Sequence, residues 1–216
     1  MFKTIAAFVF TFMILAGSPA FAASMRVVVL GDSLTAGYGL PPGDAFPAQL
    51  ENALRLKGRD VLVENAGVSG DTSAGGLARL DGAIAGPVKP SLVIVELGAN
   101  DMLRRMPPAD MKANLHKILT KLKEQQIAVL LAGVNMPLFI PGFSNSTYAD
   151  VYEELADAFD VPLYESFIDG IALKPQYNLE DRMHPNAAGV KIIVENIQED
   201  VEDILYPPTG IKGWFR

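Results

Sequence analysis

The chain has 216 residues, half of them hydrophobic, with 18 basic against 25 acidic side chains and a net charge of −7. That acidity argues against nucleic acid and anionic membrane surfaces as partners. With no cysteine, disulfides and thiolate chemistry are excluded, so stability must come from an apolar core, which a chain of this length is able to bury as one domain.

Residues 1–22 read as a secretory leader. Lys3 forms a short charged region, an apolar run follows from Ile5 to Ala16, Gly17 and Pro19 break it, and Ala20-Phe21-Ala22 supplies the small-x-small cleavage pattern. The run is short for the ~20 residues of a spanning helix, so cleavage near Ala22 and a periplasmic or secreted protein are expected, with no stable membrane anchor. The mature chain then begins at Ala23 and, without Lys3, is one unit more negative. It is expected to fold as one domain over residues 23–206 and to act as a monomer. Residues 207–216 form a tail to which no role is assigned.

The first mature segment, Met25–Leu30, is an apolar run that ends in Leu30-Gly31-Asp32-Ser33-Leu34-Thr35-Ala36-Gly37-Tyr38, where a strand enters a glycine-punctuated turn. A helical pattern at Pro47–Lys57 leads to a second apolar run, Val61–Glu64, and then to Asn65-Ala66-Gly67-Val68-Ser69-Gly70-Asp71. A short helix is expected around Ser73–Leu80, with Asp71 as its cap. The third run, Leu92–Leu97, opens into Gly98-Ala99-Asn100-Asp101. Met111–Gln125 places Met111, Leu115, Ile118, Leu119 and Leu122 on one helix face. His116 lies off that stripe and reads as solvated. A fourth run at Ile127–Ala132 precedes the unusually apolar Val134–Phe143; Tyr148–Phe159 is helical, Val161–Tyr164 is a weak fifth strand, and a last helix runs from about Asn186 to Ile204.

Runs without polar alternation are the mark of strands buried on both faces, and their alternation with helices predicts a three-layer α/β fold, a doubly wound parallel sheet of about five strands. In such sheets ligands bind beyond the carboxyl ends of the strands, where the segments holding Ser33, Gly70 and Asn100 all fall.

Chemistry singles out a few residues there. Ser33 is the candidate nucleophile, although a serine at a strand-to-helix turn also serves as an N-cap. His184, one of two histidines, is the candidate base because its near-neutral pKa lets it take and return a proton. Asp181 precedes it by three residues, and Pro185 biases His184 away from α geometry, so the carboxylate can reach the imidazole and set its tautomer. The Ser33 N–H, the Gly70 N–H and the Asn100 amide are candidate oxyanion donors. Asn100 with Asp101 could also simply form a turn; Asp32 and Asp101 read as structural. No His, Cys, Asp or Glu cluster has metal-ligand spacing, so neither metal nor other cofactor is expected.

These residues fall in four ordered blocks. Gly-Asp-Ser-Leu at 31–34, the glycine of Ser-Gly-Asp-Thr-Ser at 69–73, Gly-x-Asn-Asp at 98–101 and Asp-x-x-His-Pro at 181–185 resemble those of the SGNH, or GDSL, hydrolase family. Within it the chain is similar to the bacterial periplasmic thioesterase I, lysophospholipase and arylesterase group, which shares segments like Gly76–Leu80, Val95–Gly98 and Phe159–Leu163. The similarity runs from about Arg26 to Asp203. It implies a flavodoxin-like fold, Ser33 as nucleophile, Gly70 and Asn100 in the oxyanion hole, His184 as base and Asp181 as its orienting partner. It also implies acyl esters or thioesters as substrates, lysophospholipids among them. Met136, Leu138, Phe139 and Ile140 are candidate acyl-chain contacts, since they follow the carboxyl end of a strand. Two other readings stay open: a deacetylase of cell-envelope carbohydrate, and a non-catalytic flavodoxin-like binding module. The module has no need of Asp181 with His184, and the first turn lacks a phosphate cradle.

Overall fold

Five parallel strands in the order β2-β1-β3-β4-β5 form the centre of the computed structural model, which describes residues 24–135 and 146–207. In chain order the elements are β1 (Met25–Gly31), α1 (Ser33–Ala36), α2 (Phe46–Leu56), β2 (Val61–Gly67), α3 (Ser73–Ile84), β3 (Leu92–Glu96), α4 (Ala99–Leu103), α5 (Pro108–Glu124), β4 (Ala128–Ala132), α6 (Ser146–Phe159), β5 (Leu163–Tyr164) and α7 (Ala187–Leu205). The leader, the candidate acyl-chain contacts Met136, Leu138, Phe139 and Ile140, and nearly all of the C-terminal tail lie outside the described residues.

The sheet carries the core. Val27 to Leu30 and Leu92 to Val95 have no exposed surface, as continuous aliphatic runs require when helices cover both faces. Chain order explains the two helical layers. From β1 the chain moves outward to β2, then reverses to β3, so right-handed crossovers place α2 on one face and α3, α5 and α6 on the other. Consistently, α2 packs on α7, while α5 packs on both α3 and α6. The reversal between β1 and β3 is the switch point, and it opens a crevice at the carboxyl ends of these strands.

Several boundaries differ from those the sequence predicts. Strand β2 continues three residues further, to Gly67, because Asn65, Ala66 and Gly67 stay in register with Val29, Leu30 and Gly31 although their side chains are too exposed to show as an apolar run. Helix α3 extends to Ile84 through three glycines; at Gly76 an added Cβ would lie 2.2 Å from Leu97 Cδ1, so glycine lets the helix pack closely there. The cap of α3 is Thr72, whose Oγ1 accepts the Gly75 N–H at 3.3 Å. Asp71, expected in that role, is instead paired with Arg79. The fifth strand shrinks to Leu163–Tyr164.

Candidate active site

The turn after β1 is built around its own aspartate. Asp32 caps α1 by accepting the Leu34 N–H at 2.9 Å, so Ser33 is the first helical residue and not the cap. Its N–H therefore has no acceptor within the helix. The turn is so tight that a Cβ on Gly31 would lie 2.2 Å from Thr35 Oγ1 and 2.9 Å from the Glu96 carbonyl oxygen.

From the far end of the chain a loop brings the histidine to that serine. The Leu179 N–H donates to the His184 carbonyl at 2.8 Å, and Asn178 bridges Pro185, so residues 178–185 fold back on themselves. Arg182 takes a left-handed conformation, φ 59°, at the bend. Asp181 Oδ1 accepts the N–H groups of Met183 and His184 at 2.9 and 3.0 Å, which leaves Oδ2 to meet His184 Nδ1 at 2.6 Å. The opposite ring nitrogen, Nε2, lies 3.0 Å from Ser33 Oγ. Burial alone would raise the Asp181 carboxyl, but the two backbone donors and the imidazole bring it down to about 2. It is thus an anion at any working pH. The Tyr38 ring lies against the imidazole, centroids 4.3 Å apart.

Asn100 enters from β3. Gly98, with φ 130°, turns the chain into α4, and an added Cβ there would meet the Tyr152 hydroxyl at 2.2 Å. Asn100 Nδ2 donates to Asp32 Oδ2 at 2.8 Å, tying the third block to the first. Next to it, buried Asp101 accepts from the Ser73 N–H and Oγ at 2.8 and 2.6 Å, which binds α4 to the start of α3. Gly70, φ 83°, faces the same crevice; its carbonyl accepts from Arg104 Nη2 at 2.6 Å. The sequence reading of Asp32 and Asp101 as structural agrees with these bonds.

Ser33, Gly70, Asn100 and His184 line one cavity of about 320 Å³. Leu34, Tyr38, Leu103, Val134, Ile168 and Met183 make much of its wall apolar. Four residues of that wall, Tyr38, Leu103, Ile168 and Met183, are given no role by the sequence reading and meet only through the fold. Asp181, with 37% of its side chain exposed, stands behind His184 and outside the wall. His116 is exposed and lies edge-on to Phe159, away from the crevice. Among the described residues no group of three or more His, Asp or Glu side chains is placed to hold a metal ion.

A hydroxyl, an imidazole and a carboxylate in line at a sheet's switch point, beside an apolar cavity, define the class as hydrolases of the serine type. Comparison with known proteins narrows it. Residues 29–192 match the model of the GDSL-like Lipase/Acylhydrolase family. An arylesterase of Vibrio mimicus is 35% identical over 184 residues, 85% of this chain and 92% of that protein. The thioesterase 1/protease 1/lysophospholipase L1 of Escherichia coli K12 is 36% identical over 85% of this chain and 86% of its own length. Among solved structures, TesA aligns with a TM-score of 0.78 at 35% identity, covering 82% of this chain and 98% of TesA. The SGNH-hydrolase family esterase AlinE4 aligns at 0.71 and 39%, covering 86% and 99%. The chain belongs to the GDSL-like lipase/acylhydrolase family and is an esterase-type hydrolase.

Proposed function

We propose that this protein hydrolyses acyl esters and thioesters through an acyl-enzyme on Ser33. With the Nδ1 proton held by Asp181, His184 Nε2 accepts the hydroxyl proton as Ser33 Oγ attacks the carbonyl carbon. The oxyanion takes hydrogen bonds from the Ser33 N–H, the Gly70 N–H and the second Nδ2 proton of Asn100. Collapse expels the alcohol or thiol, protonated by His184; water then repeats the sequence, activated by the same imidazole, to release the acid and free Ser33. The observation that carries this reading is the line Ser33 Oγ, His184 Nε2, His184 Nδ1, Asp181 Oδ2, closed at 3.0 and 2.6 Å.

The substrate is a monoacyl compound with a medium or long chain, an aryl ester, acyl thioester or lysophospholipid. The apolar wall of the cavity supports a chain-binding role, as does the composition of Met136, Leu138, Phe139 and Ile140, which follow wall residue Val134 in sequence. The leader-like residues 1–22 support export to the periplasm or beyond, and among the described residues no helix is long and apolar enough to cross a membrane. The acidic surface speaks for a small-molecule substrate over nucleic acid, and a monomer suffices because one chain supplies every residue of the site.

Turnover on p-nitrophenyl esters from acetyl to palmitoyl, beside an acyl-CoA and a lysophospholipid, tests the substrate class with Ser33→Ala as the blank. A rise in kcat/KM toward longer chains is expected. Activity confined to acetyl esters would replace this reading by that of a deacetylase.

A further inference from the structure

The proposed chemistry makes no use of one buried ionisable group, Glu96, the last residue of β3 and wholly without exposed surface. Its side chain reaches under the Ser33 turn. Oε2 accepts the Asp32 N–H at 3.3 Å, whereas Oε1 has no hydrogen-bond partner among the described residues. The Asp32 carboxyl, also without exposed surface, is its neighbour across that turn.

Among the described residues nothing around the pair neutralises two negative charges. Asp101 is a further carboxyl, held by Ser73, and the Tyr152 hydroxyl donates to the Leu97 carbonyl at 2.9 Å. Arg79 approaches through the Gly31 carbonyl, but its guanidinium is paired with Asp71. His184 lines the cavity together with Asp32 and is itself bonded to Asp181. A buried carboxylate lacking both a counter-ion and a full set of donors keeps its proton.

We propose that Glu96 is a positioning residue in the neutral acid form, donating its O–H to the Asp32 carboxylate and thereby fixing the Asn100 amide beside Ser33. The proposed bond joins Glu96 to an Asp32 carboxylate whose oxygens already accept from Asn100 Nδ2 at 2.8 Å and from the Leu34 N–H that shapes α1. One shared proton leaves a single negative charge, and that charge orients an oxyanion donor. Two charges would repel each other and stand under the forming oxyanion. Burial, and then the charge of Asp32, push Glu96 well above the ordinary carboxylate range, in keeping with this assignment.

The inference rests on the reading of Ser33 and Asn100 given above, and two variants test it. Glutamine can donate where the acid does; leucine fills the space and cannot. Glu96→Leu is expected to lower kcat about tenfold or more with KM little changed, because Asn100 loses its fixed position. Glu96→Gln is expected to recover most of that loss. Thermal unfolding supplies a second readout that needs no turnover. The native acid keeps a proton that the unfolded chain releases above its ordinary value of 4.5, so wild-type stability falls with rising pH and the Tm of Glu96→Gln gains on it steadily.

A Gln variant as slow as the Leu variant, or a Tm gap independent of pH, would overturn the proposal. If Glu96→Leu does not fold, the kcat and Tm profile of Glu96→Gln decide alone. Recording the Tm gap in a Ser33→Ala background as well separates this idea from the nucleophile assignment. Full turnover by Ser33→Ala would sink that assignment, and the Tm gap would still judge the proton.

Discussion

Asn100→Ala separates the two jobs proposed for one amide. One Nδ2 proton is committed to Asp32 Oδ2 at 2.8 Å, and the other is available to the cavity that Asn100 lines. Loss of an oxyanion donor costs on the order of 10²–10³ in kcat, about 2.7–4 kcal/mol of transition-state stabilisation. Loss of the Asp32 contact leaves a fully buried carboxylate short of one donor, worth about 1–3 kcal/mol of folding stability. The second cost depends on pH. Burial already raises Asp32 from 3.8 to about 6, against the opposing pull of the Leu34 N–H, Asn100, Glu96 and His184, and removing Asn100 takes away part of that pull. A carboxyl whose native pKa is raised favours the folded state at low pH, and that advantage is lost as pH climbs from about 4 to about 6 or above. The stability deficit of Asn100→Ala is therefore largest above that window and shrinks toward its acid end, where Asp32 is protonated in both proteins. Saturation kinetics on a p-nitrophenyl ester, with urea unfolding on either side of the window, measure both parts. Unchanged kcat in folded Asn100→Ala would refute the donor role, and a stability deficit flat across pH would refute the coupling to Asp32.

Asp181→Asn keeps an acceptor for the Met183 and His184 N–H groups but offers His184 the wrong partner. A fall in kcat on the order of 10³–10⁴ at neutral pH is expected with the fold intact, and a loss under tenfold would show that the carboxylate is dispensable. Because Asp181 is held at about 2, protonation of this group should contribute nothing to the pH dependence of kcat/KM between about pH 4 and 9; a wild-type midpoint abolished only by Asp181→Asn near pH 4 would contradict that. Gly98→Ala forces a left-handed φ on a side chain and drives its Cβ into the Tyr152 hydroxyl. It should cost about 1–3 kcal/mol in urea unfolding and lower kcat by moving Asn100. Adding Tyr152→Phe should recover only part of the loss, since the backbone strain remains.

The parts of this molecule that show in its sequence are those whose cause is local. Val27–Leu30 and Leu92–Val95 read as strands because burial on both faces demands unbroken aliphatic runs, and the order of strands and helices then implies the parallel sheet. The residues gathered around Ser33 were legible because each follows a strand or precedes the last helix, where this architecture collects its loops. What the sequence hides is pairing across distance. Asp32 with Asn100 and Asp32 with Glu96 join residues 68 and 64 positions apart, and Glu96 reads simply as the end of an apolar strand. Tyr38 likewise meets His184 only in the folded chain. Asp71 misleads because aspartate caps helices well, and only the approach of Arg79 shows that it is engaged elsewhere while Thr72 caps α3.

Catalysis as proposed here turns on Ser33 forming a covalent bond to the acyl carbon or to a phosphorus that mimics it. The most direct measurement is intact-protein and peptide mass spectrometry after treatment with diethyl p-nitrophenyl phosphate, on wild type and on Ser33→Ala. One diethylphosphoryl group per chain, located on the peptide containing Ser33 and absent from the variant together with esterase turnover, is the predicted result. Modification at another residue, or undiminished turnover by Ser33→Ala, would contradict it.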